Sequence, residues 1–356
     1  MNREAAVQSD STIVADESRS LDAARAGDHR AFRALAARHE RELLVHCYRM
    51  LGSIEDAEDM VQETFLRAWR SLDTFEGRSM LRAWLYRIAT NESLDALAKR
   101  RRRSLPTLTH APGNPQDPYP PPPQESPWLE PLPDALVDER PGLSPETRYE
   151  VRESVTLAFL TALQCLPGRQ RAVLLLCDVL GWSARETAEI LEMSGASVTS
   201  SLQRARGAMK KLGAQPGSAR KMPTDEVRAS LLTRYVQAWE AADTESLVAL
   251  LQEDAAMTMP PIPLWLRGKS AIAQFLASRL FSPDARGTFR LAATSANGCP
   301  AFAVYRRDEA GRFRPASLHV LVLDTDLIAE MHSFLVTDNR LFDRFGVSPG
   351  EGAPIH

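Results

Sequence analysis

Asp59, Gln62 and Glu63 stand one helical turn apart, and Trp84, Arg87 and Asn91 repeat that spacing further along. Side chains three or four positions apart share one face of a helix. The first set therefore offers two carboxylates and an amide to a partner, and the second offers a ring, a guanidinium and an amide. Five consecutive cations, Lys99 to Arg103, come after them. Opened nucleic acid asks for this chemistry: bases stack on rings, phosphates pair with cations, and an amide reads a splayed base edge. The spacing alone also fits an ordinary helical hairpin with a solvated, charged end.

Two helices must position these groups. In the first, Ile54, Ala57, Val61, Phe65 and Ala68 recur at the interval of a buried face. In the second, Leu81, Leu85 and Ile88 look inward, a quarter-turn from Trp84, Arg87 and Asn91. The turn between them, Asp73 to Ser79, ends in a serine suited to cap the second helix. Upstream, a helical pattern begins at Leu21. Phe32, Leu35, Ala36 and His39 share a face that Leu43, Leu44, Cys47, Tyr48 and Leu51 continue to a stop at Gly52-Ser53, with His39 and His46 read as packed or surface imidazoles.

DAEDMVQETFLRAW followed by FEGRSMLRAWLYRIATN resembles region 2 of a bacterial sigma factor of the extracytoplasmic-function class, and RAGDHRAF and LLVHCYRMLGS extend the likeness upstream. The resemblance implies that Asp59, Gln62 and Glu63 sit on the clamp helices of RNA polymerase (the β′ clamp). It also implies that Phe75, Arg78, Ser79, Met80, Trp84 and Asn91 melt and read the promoter −10 element, with Arg87, Lys99 and Arg100 as the neighbouring cations.

A chain of 356 residues, 44% of them hydrophobic, has material for two or three folded cores. The net charge of −3 hides local patches, at 99–103 and around 204–211, so DNA binding is expected to be local. Cys47, Cys165, Cys177 and Cys299 lack paired ligand spacing and read as reduced thiols, with no metal and no cofactor expected. The chain shows neither a membrane-spanning apolar run nor a signal-peptide core, so no membrane partner and a cytoplasmic location are expected.

The expected organisation is a tail over 1–19, a first helical domain over 20–104, a linker over 105–145, a second helical domain over 146–213, a second linker over 214–222, a third domain over 223–345 and a tail over 346–356. The first linker holds 13 of the 24 prolines, including Pro120 to Pro123, and reads as an extended spacer. It carries Asp117, Glu125, Glu130, Asp134, Asp138 and Glu139 with almost no cations, while Trp128 and Leu129 suggest a docking point. In sigma factors the corresponding linker runs through the polymerase cleft. A plain tether would equally explain its prolines.

In the second domain Val155, Ala158, Phe159, Ala162 and Leu166 give one helix, ended by Pro167-Gly168, and Arg171 to Val179 gives another. Gly181-Trp182-Ser183 caps a short helix, and a turn at Glu192 to Ser194 leads to a last helix, Ala196 to Leu212, with Val198, Leu202, Ala205, Met209 and Leu212 inward. Ser197, Ser200, Gln203, Arg204 and Lys211 face out, flanked by Arg206 and Lys210. A short helix, a tight turn and a helix with small polar and basic residues outward form a helix-turn-helix. Gln203 and Arg204 are candidates for base edges; Arg206, Lys210 and Lys211 suit phosphates. The stretches ALQCLPGRQRAVLLLCDVLGWSARETAEIL and SVTSSLQRARGAMKKL resemble sigma region 4, the reader of the −35 element, a region that also implies a contact with the polymerase β flap.

The third domain reads as helices at Val227 to Glu240, Asp243 to Leu251 and Lys269 to Leu280, then strands at 290–296, 301–307, 317–324 and 327–336 in an antiparallel sheet, with Asp308 to Gly311 as a hairpin turn. LLTRYVQAWEAADTESLVALLQEDAAMTMPP, with RGKSAIAQFL, resembles the SnoaL-like branch of the nuclear-transport-factor-2 (NTF2) fold. Some members of that branch use a pocket aspartate and a second acid. Here those positions fall on Met259 and Leu318, which cannot carry a proton. Tyr235, Trp265, Asn297, Tyr305 and His319 are candidates for lining a pocket, or core and rim residues.

The expected protein is multidomain: two all-α sigma domains, a region 2 helical bundle and a region 4 helix-turn-helix, plus a C-terminal α+β NTF2-like cone. The expected function is a non-enzymatic initiation factor with no catalytic residues. It binds core RNA polymerase and promoter DNA, and its extension regulates it in cis. The alternatives are a DNA-targeted enzyme or ligand sensor whose cone takes a small apolar molecule, and a promoter-specific repressor, which the face of Asp59, Gln62 and Glu63 disfavours.

Overall fold

The computed structural model describes residues 19–75, 80–99, 103–121, 128–137, 152–213, 223–336 and 340–347. The expected tail over 1–19 falls almost wholly outside the described residues, and the linker over 214–222 and most of the tail over 346–356 lie outside them as well. The chain divides into two units. The first comprises residues 1–100, 136–138 and 166–207, and the second 101–135, 139–165 and 208–356.

The first unit is built on α1 (His29–Leu51), α2 (Ile54–Arg70) and α3 (Leu81–Lys99). The helical pattern from Leu21 is interrupted at Gly27, whose φ of +94° suits glycine, and resumes after Asp28. The Asp28 carboxylate caps α1 by accepting from Arg30 N and Ala31 N. Gly52 (φ 75°) ends α1, and Ser53 caps α2. Ile54, Ala57, Val61 and Ala68 are buried, and Leu81, Leu85, Tyr86 and Ala89 meet them from α3.

The second helical group spans both units. In the second unit α4 (Leu157–Gln164) is nearly buried on all sides, from Leu157 through Gln164, with Ala158 the exception. In the first unit come α5 (Gly168–Leu174), a π-turn over Leu175–Val179, and α6 (Ala184–Leu191), followed by α7 (Gly195–Lys211). Ser183 and Glu186 form a capping box at α6, and Glu192 closes it in the left-handed conformation (φ 51°). The inner stripe of α7 is shorter than expected. Val198, Ala205 and Met209 are buried, but Leu202 is half-buried and Leu212 exposed, because the helix ends as Leu212 is reached.

The third domain opens with α8 (Asp225–Ala241) and α9 (Thr244–Val248). The helix expected to reach Leu251 stops at Val248, and Leu251 instead begins β1 (Leu251–Thr258). After β2 (Trp265–Arg267) and α10 (Lys269–Arg279) come β3 (Phe289–Ala296), β4 (Cys299–Arg307), β5 (Phe313–Asp324), β6 (Leu327–Leu335) and α11 (Arg340–Phe345). The six strands lie in the order β2-β1-β6-β5-β4-β3. The sheet is mixed and not purely antiparallel, because β1 pairs with β6 in parallel. One face packs on α8 and α10 through Tyr235, Trp239, Phe275, Phe302 and Met331. The β3–β4 turn is Asn297-Gly298 with φ of 55° and 71°, the two left-handed residues a tight hairpin requires.

Candidate nucleic-acid interface and the docked linker

On α2, Asp59 and Gln62 are exposed and Glu63 is half-buried, and Leu66, on the same face, is 51% exposed. The face is braced by a neighbouring exposed arginine. Arg67 bonds Glu63 (3.2 Å) and Glu92 (2.5 Å), and burial raises the Glu92 pKa while Arg67 opposes that rise.

The groups expected at opened DNA are unevenly presented. Met80, Asn91 and Lys99 are exposed, and Met80 is 72% exposed. Phe75 is buried against Trp84, ring centroids 5.1 Å apart, with the Arg25 guanidinium 5.7 Å from its centroid and bonded to its carbonyl. Arg78, Ser79 and Arg100 lie outside the described residues. Arg87 is paired with Glu192, in the turn between α6 and α7. Just before α6, the Trp182 ring meets Tyr86 edge-on at 5.0 Å, and Arg82 lies 5.1 Å from the Tyr86 centroid and 5.5 Å from that of Trp182. Glu42 holds Arg82 at 2.8 Å. Gly168 of α5 comes so near α3 that a Cβ there would stand 3.1 Å from Leu94. The buried Arg171 guanidinium donates to the carbonyls of Met50 and Leu166.

Within the first unit, then, the helix-turn-helix is packed on the helix that carries Trp84, Arg87 and Asn91. Trp182, Glu192, Glu42 and Arg82 are not legible as functional in the sequence. Their partners are distant in the chain, and nothing in local spacing announces them. Trp182→Ala removes one aromatic contact and one cation–π contact. Together these are worth about 2 kcal/mol, and we expect fluorophores on α2 and α7 to report a larger separated fraction. An unchanged transfer efficiency would show that this contact does not hold the halves together.

On α7, Ser197, Gln203, Arg204, Lys210 and Lys211 are exposed and Ser200 is half-buried. Arg206 is instead held by both oxygens of Asp178, at 2.6 and 2.9 Å. The phosphate contact expected of Arg206 would require that pair to open.

In the third domain the structure does not bring the five residues named as pocket-lining or core and rim candidates together at one site. Tyr235 and His319 do meet inside the cone. The Tyr235 hydroxyl is 2.8 Å from His319 Nδ1, and Ser317 Oγ is 2.9 Å from Nε2. Burial raises the Tyr235 pKa well above its ordinary value and lowers that of His319 to about 3, so the imidazole is neutral. Met259 and Met331 belong to the same apolar core. Tyr305 lies one register away from that interior and packs on Phe342 of α11, centroids 5.1 Å apart. Strand alternation sends neighbours to opposite faces, which separates Tyr305 from Phe302 and Val304.

Trp265 and Asn297 hold the linker instead of lining a cavity. Trp265 Nε1 donates to His110 O (2.8 Å), and Gly113 N donates to Trp265 O (2.8 Å). Asn297 accepts from Leu132 N at Oδ1 (2.9 Å), donates its own N–H to Leu132 O (2.9 Å), and donates Nδ2 to Val155 O (2.7 Å). Gly298 N donates to Asp134 (2.8 Å), Arg279 donates to the carbonyls of Gln116 and Asp117, and Trp128 Nε1 donates to Pro261 O (2.7 Å). Trp128, Leu129 and Leu132 are at most 2% exposed. The expected spacer is therefore a strap, with a helical turn at Pro106–Thr109 and bridges Ser104–Trp128 and Pro133–Ala296. Prolines suit such a segment, because it is held by other parts of the chain and needs few ladders of its own.

Among the described residues no helix is long and apolar enough to cross a membrane. No group of three or more His, Cys, Asp or Glu is placed there to hold a metal ion.

Three family descriptions match the chain: Sigma-70 region 2 over residues 35–103, Sigma-70, region 4 over 156–209, and SnoaL-like domain over 232–331. The ECF RNA polymerase sigma factor SigG of Mycobacterium tuberculosis (strain H37Rv) is 44% identical over 319 residues, which is 89% of this chain and 84% of that protein. ECF RNA polymerase sigma factor SigJ of the same strain is 28% identical over 261 residues, 71% of this chain and 75% of that protein. A crystal structure of M. tuberculosis SigJ shares the fold, with a TM-score of 0.53 at 22% identity over 90% of this chain and 99% of that one.

Proposed function

Because this chain belongs to the extracytoplasmic-function sigma factors of RNA polymerase, we propose that its SnoaL-like domain regulates initiation in cis by holding the linker between the two promoter-reading regions. The chain binds core RNA polymerase, recognises the −35 and −10 promoter elements and initiates transcription. The roles of individual residues belong to this reading. Asp59, Gln62 and Glu63 dock on the polymerase clamp. Phe75, Met80, Trp84, Arg87, Asn91 and Lys99 engage the −10 element. Ser197, Ser200, Gln203 and Arg204 engage −35 base edges, and Arg206, Lys210 and Lys211 its phosphates. The factor works where polymerase works, in the cytoplasm, and it is not an enzyme. Met259 and Leu318 replace the acids that proton transfer in a SnoaL-like cone would need, and His319 is buried and neutral.

The observation that carries the regulatory reading is the grip of Asn297, Trp265 and Arg279 on residues 110–132. A linker held there is not free to follow another path, so engagement with polymerase has to compete with the strap. The α4 helix, inside the stretch that matches region 4, belongs to the same unit as the strap. Run-off transcription with core polymerase, comparing the full chain with one ending at Gly213, tests this. Promoter-specific transcript is expected with a several-fold difference between the two. Equal polymerase binding and equal transcript from both would sink the regulatory reading.

A further inference from the structure

The short helix before α1 reaches a group on which −10 reading depends. Residues 19–25 are helical and are followed by Gly27 with its positive φ. Arg25, the last residue of that helix, lies upstream of the stretch 35–103 that matches region 2. Its guanidinium donates to the carbonyl of Phe75 and stands 5.7 Å from the centroid of the Phe75 ring. Its ion pair with Asp22 is long, 3.8 Å, and the Asp22 side chain is 72% exposed, so Phe75 is the closer partner. The Phe75 ring in turn meets Trp84, centroids 5.1 Å apart. Arg25, Phe75 and Trp84 are thus linked in series.

The series is fixed at its base. His29 and Phe32, at the start of α1, pack on Trp69 at the end of α2, centroids 4.2 and 5.2 Å apart, which pins the chain from which Arg25 projects. Phe75 N donates to Leu72 O (3.2 Å), and with its carbonyl taken by Arg25 both main-chain groups of Phe75 are held. Phe75 is 5% exposed, so its ring is not free to stack on a base, whereas the half-buried Trp84 still reaches solvent. A ring that parts two bases works against their stacking, and a wedge that recoils loses its effect. The ring behind Trp84, and the guanidinium behind that ring, decide how far Trp84 yields. Arginine suits the post, because its planar group lies against a ring while its N–H donates a charge-assisted bond.

We propose that Arg25 is a positioning residue for promoter opening: through Phe75 it braces Trp84 against the −10 duplex, and it touches no DNA itself. This rests on the −10 role given above to Phe75 and Trp84.

The test uses holoenzyme reconstituted with the full chain, on a duplex promoter and on the same promoter with mismatches that open the −10 element in advance. The rate of opening, the affinity of the closed complex and its salt dependence are measured for R25A, R25K and F75L. R25A removes one bond from a charged donor and one cation–π contact, and is expected to slow opening of the duplex on the order of tenfold. On the pre-opened template, and in closed-complex affinity, it should match the parent. R25K keeps the charge and the bond but not the planar group, so it should slow opening less, with the same sparing of the pre-opened template. This milder variant separates the role from a folding defect. F75L fills the site without a ring and should slow opening at least as much as R25A. Equal losses on both templates, or parental opening by R25A and R25K beside a slow F75L, overturn the role of Arg25 and leave the −10 reading standing. So does a closed-complex salt slope flattened by about 0.9 in R25A, the mark of a direct phosphate contact. Parental opening by F75L overturns the −10 reading of Phe75 and this proposal with it.

Discussion

Replacing Asn297 by alanine is expected to free the linker from the SnoaL-like domain. The Asn297 side chain accepts from Leu132 N and donates to Val155 O at a position with no solvent exposure. Alanine would leave a buried N–H and a buried carbonyl unsatisfied, at about 1–3 kcal/mol each. It would also hold φ at 55°, a conformation asparagine tolerates better than alanine. A loss of about 3 kcal/mol lowers the ratio of docked to free linker more than a hundredfold. Hydrogen exchange at Leu132 and proteolytic cutting within residues 104–135 should rise together. Parental protection in the variant would show that Asn297 does not anchor the strap.

The second large effect is acid sensitivity seated in two imidazoles. His46 and His319 have pKa values lowered from 6.5 to about 3 by burial, with Arg49 adding to the shift at His46 and Glu42 opposing it. The unfolded chain takes up a proton at each site as pH falls through 6.5, and the folded chain does not until about 3. Stability is therefore complete above pH 6.5 and declines between 6.5 and 3, by about 1.4 kcal/mol per pH unit for each histidine. At pH 5 each site has lost roughly 2 kcal/mol. Thermal melts from pH 7.5 to 4.5 should show the decline, and His319→Gln should remove about one proton's worth of slope. A variant with the parental pH dependence would refute the assignment.

The parts legible in the sequence are those that local rules govern. The faces of α2 and α3 follow from helical period, and Asp59 and Gln62 lie exposed on one of them as the spacing predicts. The β4–β5 hairpin is readable because Asp308 to Gly311 is a turn between alternating strands. The strand from Leu251 is not, because QEDAAM carries charge on its exposed face and continues a helical stretch without a break. The parallel β1–β6 pairing depends on residues far apart, such as Met257 and Met331, and no period reports it. Residue type alone suggests the pocket candidates. Type does not say which face of a strand a residue occupies, so it groups Tyr305 with His319 although β-strand alternation separates them. Trp128 is recognisable as an anchor, since an aromatic ring in a polar, proline-rich segment is costly to leave in water. Its acceptor, the carbonyl of Pro261, is not.

The strap is gripped mostly by its main chain. His110, Gly113, Gln116, Asp117 and Leu132 take part through amide or carbonyl groups, whereas Arg279 answers with its side chain and Trp265 and Asn297 with side chain and main chain both. The two sides of the contact are therefore under unequal evolutionary constraint. The linker is free to drift in composition at most positions without losing its seat. The exceptions are Trp128, Asp134 and Gly113, where a Cβ would come within 2.2 Å of Leu264. Across diverging descendants of this gene, the docking groove would keep its sequence while the segment lying in it changed.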